Sequence, residues 1–367
     1  MAASSTSVEV RVKRTTEVKP YQTMRGHTRS VYGVVHLHDG RHIITCSDDG
    51  SLRLWERESG AQMGNDWRDV EDEKGVCIIA LSPNGETIAS GSSHGMVKLW
   101  NIEMRKVIAK WTGHTKVVSS VCWSRDGKCV VTGSYDGTAR VWDVESGETV
   151  LGPITTGHQR IDAVAYSPDA SNFATGGYHE GAVKIWDAGT GELLSTLKQD
   201  SWVWSLVWTS DQNKLLTGND NGSITIFTTA TWQQIAMLEN HTDAVFALSL
   251  FQNDRLLASA SYDNTARLWN LDTNLPVGPP LQHQDFVYRT AFSADGKFLA
   301  TACDDRNAYV WDVHTILQEA GLEELLSVPN ASSHSVYFLV LLICLSQVAT
   351  GKSLLDVSDM TSTFYWL

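Results

Sequence analysis

Residues 113–143 read GHTKVVSSVCWSRDGKCVVTGSYDGTARVWD and contain three short runs in which apolar and polar residues alternate. Two tight-turn signals, Arg125-Asp126-Gly127 and Asp136-Gly137, separate the runs. Alternation with a period of two is typical of a half-buried β-strand, and Asp-Gly pairs favour tight turns. The stretch therefore predicts three antiparallel strands that begin after a Gly-His pair and end on a Trp-Asp pair.

The same unit recurs along most of the chain. A His and a Trp are separated by 28 positions in five places: His27 and Trp55, His114 and Trp142, His158 and Trp186, His241 and Trp269, and His283 and Trp311. Trp100 and Phe227 continue the series, and the steps between closing residues run from 41 to 45 positions. Such a period, with Gly-His and Trp-Asp marks, is typical of a propeller of four-stranded blades. Seven units predict an all-β, seven-bladed β-propeller of antiparallel blades.

On these recurring residues the chain resembles the WD-repeat family over about residues 17–313. In that family the first strand of the sequence is the outermost strand of the last blade. The seventh unit here ends at Trp311-Asp312 and is followed by no fourth strand of its own. The resemblance therefore implies that residues 17–24 form a strand that closes the ring and covers a sheet edge.

Two tails flank the predicted propeller at residues 17–313. Residues 1–16 are polar and rich in small residues, which predicts a flexible N-terminal tail. In the C-terminal extension, residues 314–367, a short amphipathic helix is followed by VYFLVLLICL at 336–345, the most apolar run of the chain. A spanning helix needs about 20 such residues, which disfavours a membrane role. A membrane-tethered adaptor remains the alternative function, and a packed tail or a translated intron at 336–347 are further interpretations of the run.

Charge and motifs narrow the class of function. The 29 Lys and Arg are outnumbered by 42 Asp and Glu, giving a net charge of −13 that disfavours direct nucleic-acid binding and favours partners with Lys/Arg-rich segments. Six cysteines without CxxC spacing favour reduced thiols and a cytoplasmic or nuclear location. Phosphate-binding, nucleophile-elbow and HExxH motifs are absent, as is a metal-spaced His and Cys cluster. The sequence therefore predicts a protein-binding scaffold rather than an enzyme, with no cofactor, metal site or small-molecule substrate.

In three of the units a His, a Ser and an Asp accompany the closing Trp and could be mistaken for a catalytic triad. An active site is assembled once, so the repetition favours a structural role. In WD-repeat proteins these residue types form a hydrogen-bonded chain inside a blade, and the second and fifth units depart from the pattern. The resemblance assigns this role to three sets: His27, Ser47, Asp49 and Trp55; His114, Ser134, Asp136 and Trp142; His241, Ser261, Asp263 and Trp269.

Propellers of this family often bind peptides at one end of the ring, over the central channel. Counting from each Gly-His pair, or its equivalent, identifies two groups of positions in this chain that correspond to the family's peptide-binding positions. The positions at the start of the innermost strands are Tyr32, Trp202, Trp204, Phe246, Phe286 and Tyr288. The positions in the tight turns are Asp48, Ser93, Tyr135, His179, Asp220, Tyr262 and Asp304.

This mixture of aromatic rings and carboxylates suits a Lys or Arg side chain of a partner protein. We expect the acidic insertion at residues 66–73 to lie in a loop at the same end and to strengthen the negative field. For Trp202 and Trp204 an alternative remains open, because they could instead fill space in the irregular fifth unit.

Overall fold

The computed structural model of this protein describes residues 18–69, 74–178 and 181–327. The predicted tail at 1–16, the apolar run at 336–345 and the turn residue His179 lie outside the described residues. Within the described part of the chain, no helix is both long enough and apolar enough to cross a membrane.

The described residues form seven four-stranded antiparallel sheets, which confirms the predicted seven-bladed β-propeller. The innermost strands, which pack against one another around the channel, are β2 (Val31–His36), β6 (Val76–Leu81), β10 (Val118–Trp123), β14 (Arg160–Tyr166), β18 (Val203–Trp208), β22 (Val245–Leu250) and β26 (Val287–Phe292). The second strands are β3 (His42–Ser47), β7 (Thr87–Ser92), β11 (Cys129–Ser134), β15 (Asn172–Tyr178), β19 (Lys214–Asn219), β23 (Leu256–Ser261) and β27 (Phe298–Cys303).

The third strands carry the closing aromatic residues and are β4 (Ser51–Glu56), β8 (Val97–Asn101), β12 (Thr138–Asp143), β16 (Ala182–Asp187), β20 (Ser223–Thr228), β24 (Thr265–Asn270) and β28 (Asn307–Asp312). The outermost strands are β5 (Trp67–Arg68), β9 (Lys106–Trp111), β13 (Thr149–Thr155), β17 (Leu193–Lys198), β21 (Gln234–Glu239), β25 (Leu275–Gln282) and β1 (Gln22–Arg25).

The N-terminal strand closes the ring, as the resemblance implies. Strand β1 pairs antiparallel with β28, with Gln22 opposite Val310 and Arg25 opposite Asn307. Strand β2 also packs against β26, so the first and seventh blades are neighbours. The outer edge of β28 is therefore covered by the other end of the chain.

The tight turn between the second and third strands of each blade requires one residue with a left-handed backbone conformation. Glycine fills this position in most blades, for example Gly137 with φ +80°. A Cβ on Gly137 would lie 2.7 Å from the carbonyl oxygen of His158, so the approach of the next blade also favours glycine. Asn264 and Arg306 occupy the position in the last two blades.

A hydrogen-bonded chain joins the turn to the third strand inside the first blade. Nδ1 of His27 donates to Asp49 at 2.9 Å, Nε2 lies 2.7 Å from the Thr45 hydroxyl oxygen, and Trp55 Nε1 donates to the same oxygen at 2.8 Å. Burial lowers the pKa of His27, which favours the neutral imidazole that this arrangement needs.

The residue whose hydroxyl bridges the His and the Trp is not the serine that the sequence analysis assigned to this role. The bridging residue is Thr45, whereas Ser47 donates to the carbonyl of Arg29 and accepts from the Asp49 amide. The same holds for Ser134 and Ser261, whose places between His and Trp are taken by Thr132 and Ser259. The serine therefore fastens the turn to the preceding loop, and the residue two positions earlier links the strands.

A hydroxyl residue occupies the bridging position in every blade, and it accepts from the closing Trp in all but the fifth. The remaining examples are Ser90, Thr175 and Thr301. In the fifth blade Phe227 has no side-chain N–H group, and the Thr217 hydroxyl lies within hydrogen-bond distance of the side-chain oxygens of Gln199, at 3.2 Å, and Asn219, at 3.1 Å. The fifth blade thus keeps a polar interior with different partners.

Helix α1 (Val313–Ala320) follows the last blade directly. Asp312 caps its N-terminus by accepting from the Thr315 amide at 2.9 Å, and Gly321, with φ +67°, ends it. Val313, Ile316 and Leu317 are buried in the hydrophobic cluster of the sixth and seventh blades. A short 3₁₀ turn, Glu323–Leu326, continues the packing, so residues 314–326 lie against the propeller.

Replacing Thr45 with Val should destabilise the first blade, because the buried N–H of Trp55 and the ring nitrogen of His27 both lose a partner. Each buried polar group that is left without a hydrogen-bond partner lowers the free energy of unfolding by about 1 to 3 kcal/mol. Denaturant unfolding measures the loss, and Thr115→Val, at an exposed position, is the matched control. Equal stability of the two variants would contradict the bridging role.

His36 should make stability fall as the pH drops. Burial, with Arg57 nearby, lowers the pKa of His36 to about 3, and neither ring nitrogen has a partner among the described residues. The unfolded chain binds a proton near pH 6.5 and the folded chain does not, so stability is lost from pH 6.5 towards pH 3. His36→Leu should flatten the curve of unfolding free energy against pH in this window, and parallel curves for the two proteins would refute the assignment.

Candidate functional site

A β-bulge at one position of each innermost strand builds the candidate site. In the first blade Val31 pairs with Ser47 and Gly33 with Cys46, so Tyr32 is an extra residue without a place in the ladder. A bulge of this kind turns a side chain out of the regular alternation. The bulge residues of the seven blades are Tyr32, Cys77, Ser119, Asp162, Trp204, Phe246 and Tyr288.

The seven bulge residues surround one cavity of about 410 Å³ at the mouth of the central channel. We call this end of the propeller, marked by these residues, the channel rim. The cavity is also lined by Asp48, Ser93, Val117, Tyr135, Arg160, Tyr262 and Arg289. Eight of the thirteen positions carried over from the family therefore line a single cavity: Tyr32, Asp48, Ser93, Tyr135, Trp204, Phe246, Tyr262 and Tyr288.

The remaining predicted residues lie beside this cavity. Trp202 and Phe286, 36% and 37% exposed, immediately precede the innermost strands of the fifth and seventh blades. Asp220 accepts a hydrogen bond from Trp204 Nε1 at 2.8 Å, and Asp304 accepts from the Tyr288 hydroxyl at 2.9 Å. The structure thus gathers twelve of the thirteen positions at one end of the ring, and His179 lies outside the described residues.

The aromatic residues form a continuous series, which we call the aromatic arc: Trp204, Phe246, Tyr262, Phe286 and Tyr288. The ring centroids of Phe246 and Tyr262 lie 3.8 Å apart, those of Tyr262 and Phe286 4.4 Å, and those of Trp204 and Phe246 4.4 Å. Burial raises the pKa of Tyr262 to about 12, so its hydroxyl stays neutral at physiological pH. The arc is a rigid apolar surface with two carboxylates fixed at its edge.

A cation of this chain already occupies one end of the arc. The Arg160 guanidinium lies 4.7 Å from the ring centroid of Trp204 and 5.0 Å from those of Tyr135 and Tyr178. Its Nε donates to Asp162 at 3.1 Å. The faces of Tyr135 and Trp204, both predicted to receive a partner cation, are therefore in contact with an internal one.

Sequence counting missed Arg160, Asp162 and Tyr178 because the fourth blade is shifted by one residue. There Ile161 and Gly177 form the pair that Val31 and Ser47 form in the first blade, three rather than four positions after the histidine. An extra residue in the following turn region restores the spacing of 28 to Trp186. The spacing between His158 and Trp186 therefore remains 28, and it does not reveal the shift.

Asp162 and Arg289 lie at the base of the cavity. Both also line a second cavity deeper in the channel, as does Trp204. Burial raises the pKa of Asp162 to about 7, although Arg160 and Arg289 oppose the shift. Nη1 of Arg289 donates to the carbonyl oxygens of Phe246 and Tyr288, and burial lowers its pKa.

Trp202 and Trp204 do not fill the space around Phe227. That space is occupied by Trp208 and Trp232, whose rings contact each other in the hydrophobic cluster of the fifth blade. Trp202 instead contacts Tyr178, with ring centroids 4.2 Å apart, at the rim.

The acidic insertion contributes less to the rim than expected. Its residues Trp67 and Arg68 form the outermost strand of the first blade rather than a loop. Asp66 pairs with Arg68 at 2.8 Å, and the buried Asp69 lies 2.8 Å from Lys98 and 2.9 Å from Lys110. Asp66 is thus paired within the first blade and Asp69 with two lysines of the second blade, and residues 70–73 lie outside the described residues.

Two family models match this chain. The model described as the first β-propeller of IFT122 matches residues 68–312, and the model of the WD domain, G-beta repeat, matches residues 18–56. Together they cover the described strands of all seven blades except Trp67 of β5.

Several curated proteins are similar in sequence. Cell division cycle 20.1, cofactor of APC complex, from Arabidopsis thaliana is 25% identical over 64% of this chain and 52% of its own length. WD repeat-containing protein 55 of the same plant is 25% identical over 68% of this chain and 70% of its own length. Autophagy-related protein 16, also from Arabidopsis thaliana, is 32% identical over 28% of this chain and 20% of its length. This chain thus spans about half the length of the cell-division relative.

Asp162→Asn should stabilise the protein more at alkaline pH than at acid pH. The folded protein holds a proton on Asp162 up to about pH 7, while the unfolded chain releases it near pH 3.8. The contribution of Asp162 to stability is therefore lost as the pH rises between these values. Asparagine keeps an acceptor for Arg160 without the buried charge. Unfolding free energies measured across this range test the point, and a gain that shrinks with rising pH would contradict it.

Proposed function

Because this chain belongs to the WD-repeat β-propeller family, whose members are generally non-enzymatic scaffolds, we propose that it is a protein-interaction scaffold that binds basic segments of partner proteins at its channel rim. The observation that carries the proposal is the convergence of the aromatic arc and the carboxylates of Asp220 and Asp304 on one cavity mouth.

The arc has the features of an interface centre. Exposed aromatic side chains on a rigid support contribute large contact area at little entropic cost, and aromatic residues are enriched among interface anchors. Three aromatic side chains are exposed among the described residues, and two of them, Trp202 and Phe286, lie at the rim.

The carboxylates favour a cationic partner on this side of the rim. Asp220 and Asp304 each use one oxygen to hold an aromatic ring, which fixes them in place while a second oxygen remains to accept from a Lys or Arg. The net charge of −13 attracts a basic segment over longer distances. A lysine or arginine would lie towards Phe286 and Tyr288, away from the end of the arc that Arg160 covers.

We propose a cytoplasmic or nuclear location for this activity. The five described cysteines, Cys46, Cys77, Cys122, Cys129 and Cys303, are free thiols, and burial raises their pKa. Such packed thiols fit a reducing compartment.

Phe286→Ala should weaken binding of basic peptides. The probe is a positional-scanning library of short synthetic peptides, and affinities of the selected Lys- or Arg-containing peptides are measured by fluorescence anisotropy. Loss of an anchor of this kind costs about 2 kcal/mol, or roughly 30-fold in Kd.

Leu275→Ala is the matched control, because Leu275 is an exposed apolar residue on an outermost strand. Its affinities should equal those of the wild type. The proposal fails if the wild type shows no preference for Lys or Arg at any position, or if the two alanine variants bind equally.

A further inference from the structure

The Arg160 guanidinium is only partly used within the protein. Its Nε is bonded to Asp162, and its face is covered by Tyr135, Tyr178 and Trp204. Both Nη groups lack a hydrogen-bond partner among the described residues, and the side chain is 29% exposed in the wall of the cavity. Four N–H donors are therefore available there to a bound molecule.

Positive charge in this cavity is incompletely balanced. Arg289 also lines it, and its hydrogen bonds go to backbone carbonyl oxygens, which carry no net charge. Asp162, the carboxylate beside both guanidinium groups, has its pKa raised to about 7 by burial, so its negative charge is only partly present at neutral pH. The other carboxylate in the wall, Asp48, is paired with Arg29 at 3.0 Å.

The carboxylates of the rim are divided between the wall of the cavity and the aromatic arc. Asp220 and Asp304 lie beside the aromatic arc, while Arg160 and Arg289 line the cavity that the arc borders. A guanidinium held flat against aromatic rings loses little entropy on pairing, and its Nη groups match the two oxygens of an acidic group. This strongly acidic protein therefore has a recess at the centre of its rim in which the Nη groups of Arg160 have no hydrogen-bond partner among the described residues.

We propose that this recess binds an anionic side chain of the partner segment, so that the recognised peptide carries an acidic residue, Glu, Asp or a phosphorylated Ser, at a fixed distance from its Lys or Arg. The acidic group pairs with the Nη groups of Arg160 inside the cavity, and the basic residue lies over the arc. This inference rests on the proposed function and adds a second recognition element to it.

The test screens the same peptide library, including phosphoserine, against the wild type, Arg160→Gln, Arg160→Lys and Lys128→Gln. Lys128 is an exposed cation of the turn between β10 and β11, at the opposite end of the third blade. The wild type should select an acidic residue at one position over Gln by about fivefold, the effect of a partly screened ion pair. Arg160→Gln should abolish this selection and keep the selection for Lys or Arg, whereas Lys128→Gln should keep both.

Thermal unfolding of each variant shows whether it is folded. If Arg160→Gln does not fold, the test uses Arg160→Lys instead. Lysine keeps the positive charge but not the forked geometry of the guanidinium, so this variant should reduce the selection for an acidic residue without removing it. Selection of Glu and Asp over phosphoserine identifies a carboxylate as the bound group, and the reverse order identifies a phosphoryl group. The inference is wrong if the wild type shows no acidic selection, or if Arg160→Gln retains it. Acidic selection without Lys or Arg selection would instead refute the basic-segment proposal alone.

Discussion

The candidate site depends on one backbone feature, the bulge near the start of every innermost strand. A regular ladder would alternate its side chains between the two faces of the blade and bury each residue against a neighbouring blade. The extra residue breaks this alternation and presents one side chain per blade to the channel mouth. The blades can therefore keep similar interiors, with a bridging hydroxyl in each, while the seven rim residues differ in chemistry.

That variation divides the rim into two parts. From the fifth blade to the seventh the bulge residues are aromatic, and they pack against one another. The fourth blade supplies Asp162 and its neighbour Arg160, which places charged groups where the other blades have rings or small residues. Arg160 joins the two parts, because it contacts Trp204 on one side and Tyr135 on the other.

Much of the fold could be predicted from the sequence because closure imposes one spacing on every blade. The number of blades follows from that period, whereas the closing N-terminal strand and the aromatic residues of the arc follow from the resemblance to the WD-repeat family. The sequence-based predictions were wrong in two situations. In one, two changes in residue spacing cancel each other, and in the other, two hydroxyl residues lie close together in the sequence. The one-residue shift of the fourth blade is compensated before Trp186, so counting from His158 could not find Asp162. Thr45 and Ser47 both carry hydroxyls, and only the recurrence of Ser or Thr ten positions before most closing residues distinguishes the bridging one.

A crystal structure of the protein with its most tightly bound library peptide tests the central claim most directly. The account predicts that the peptide lies across the channel rim, with a Lys or Arg beside Asp304 and Phe286 and an acidic group paired with Arg160. A peptide seated on the outermost strands or at the opposite end of the channel, with the rim unchanged, would contradict it.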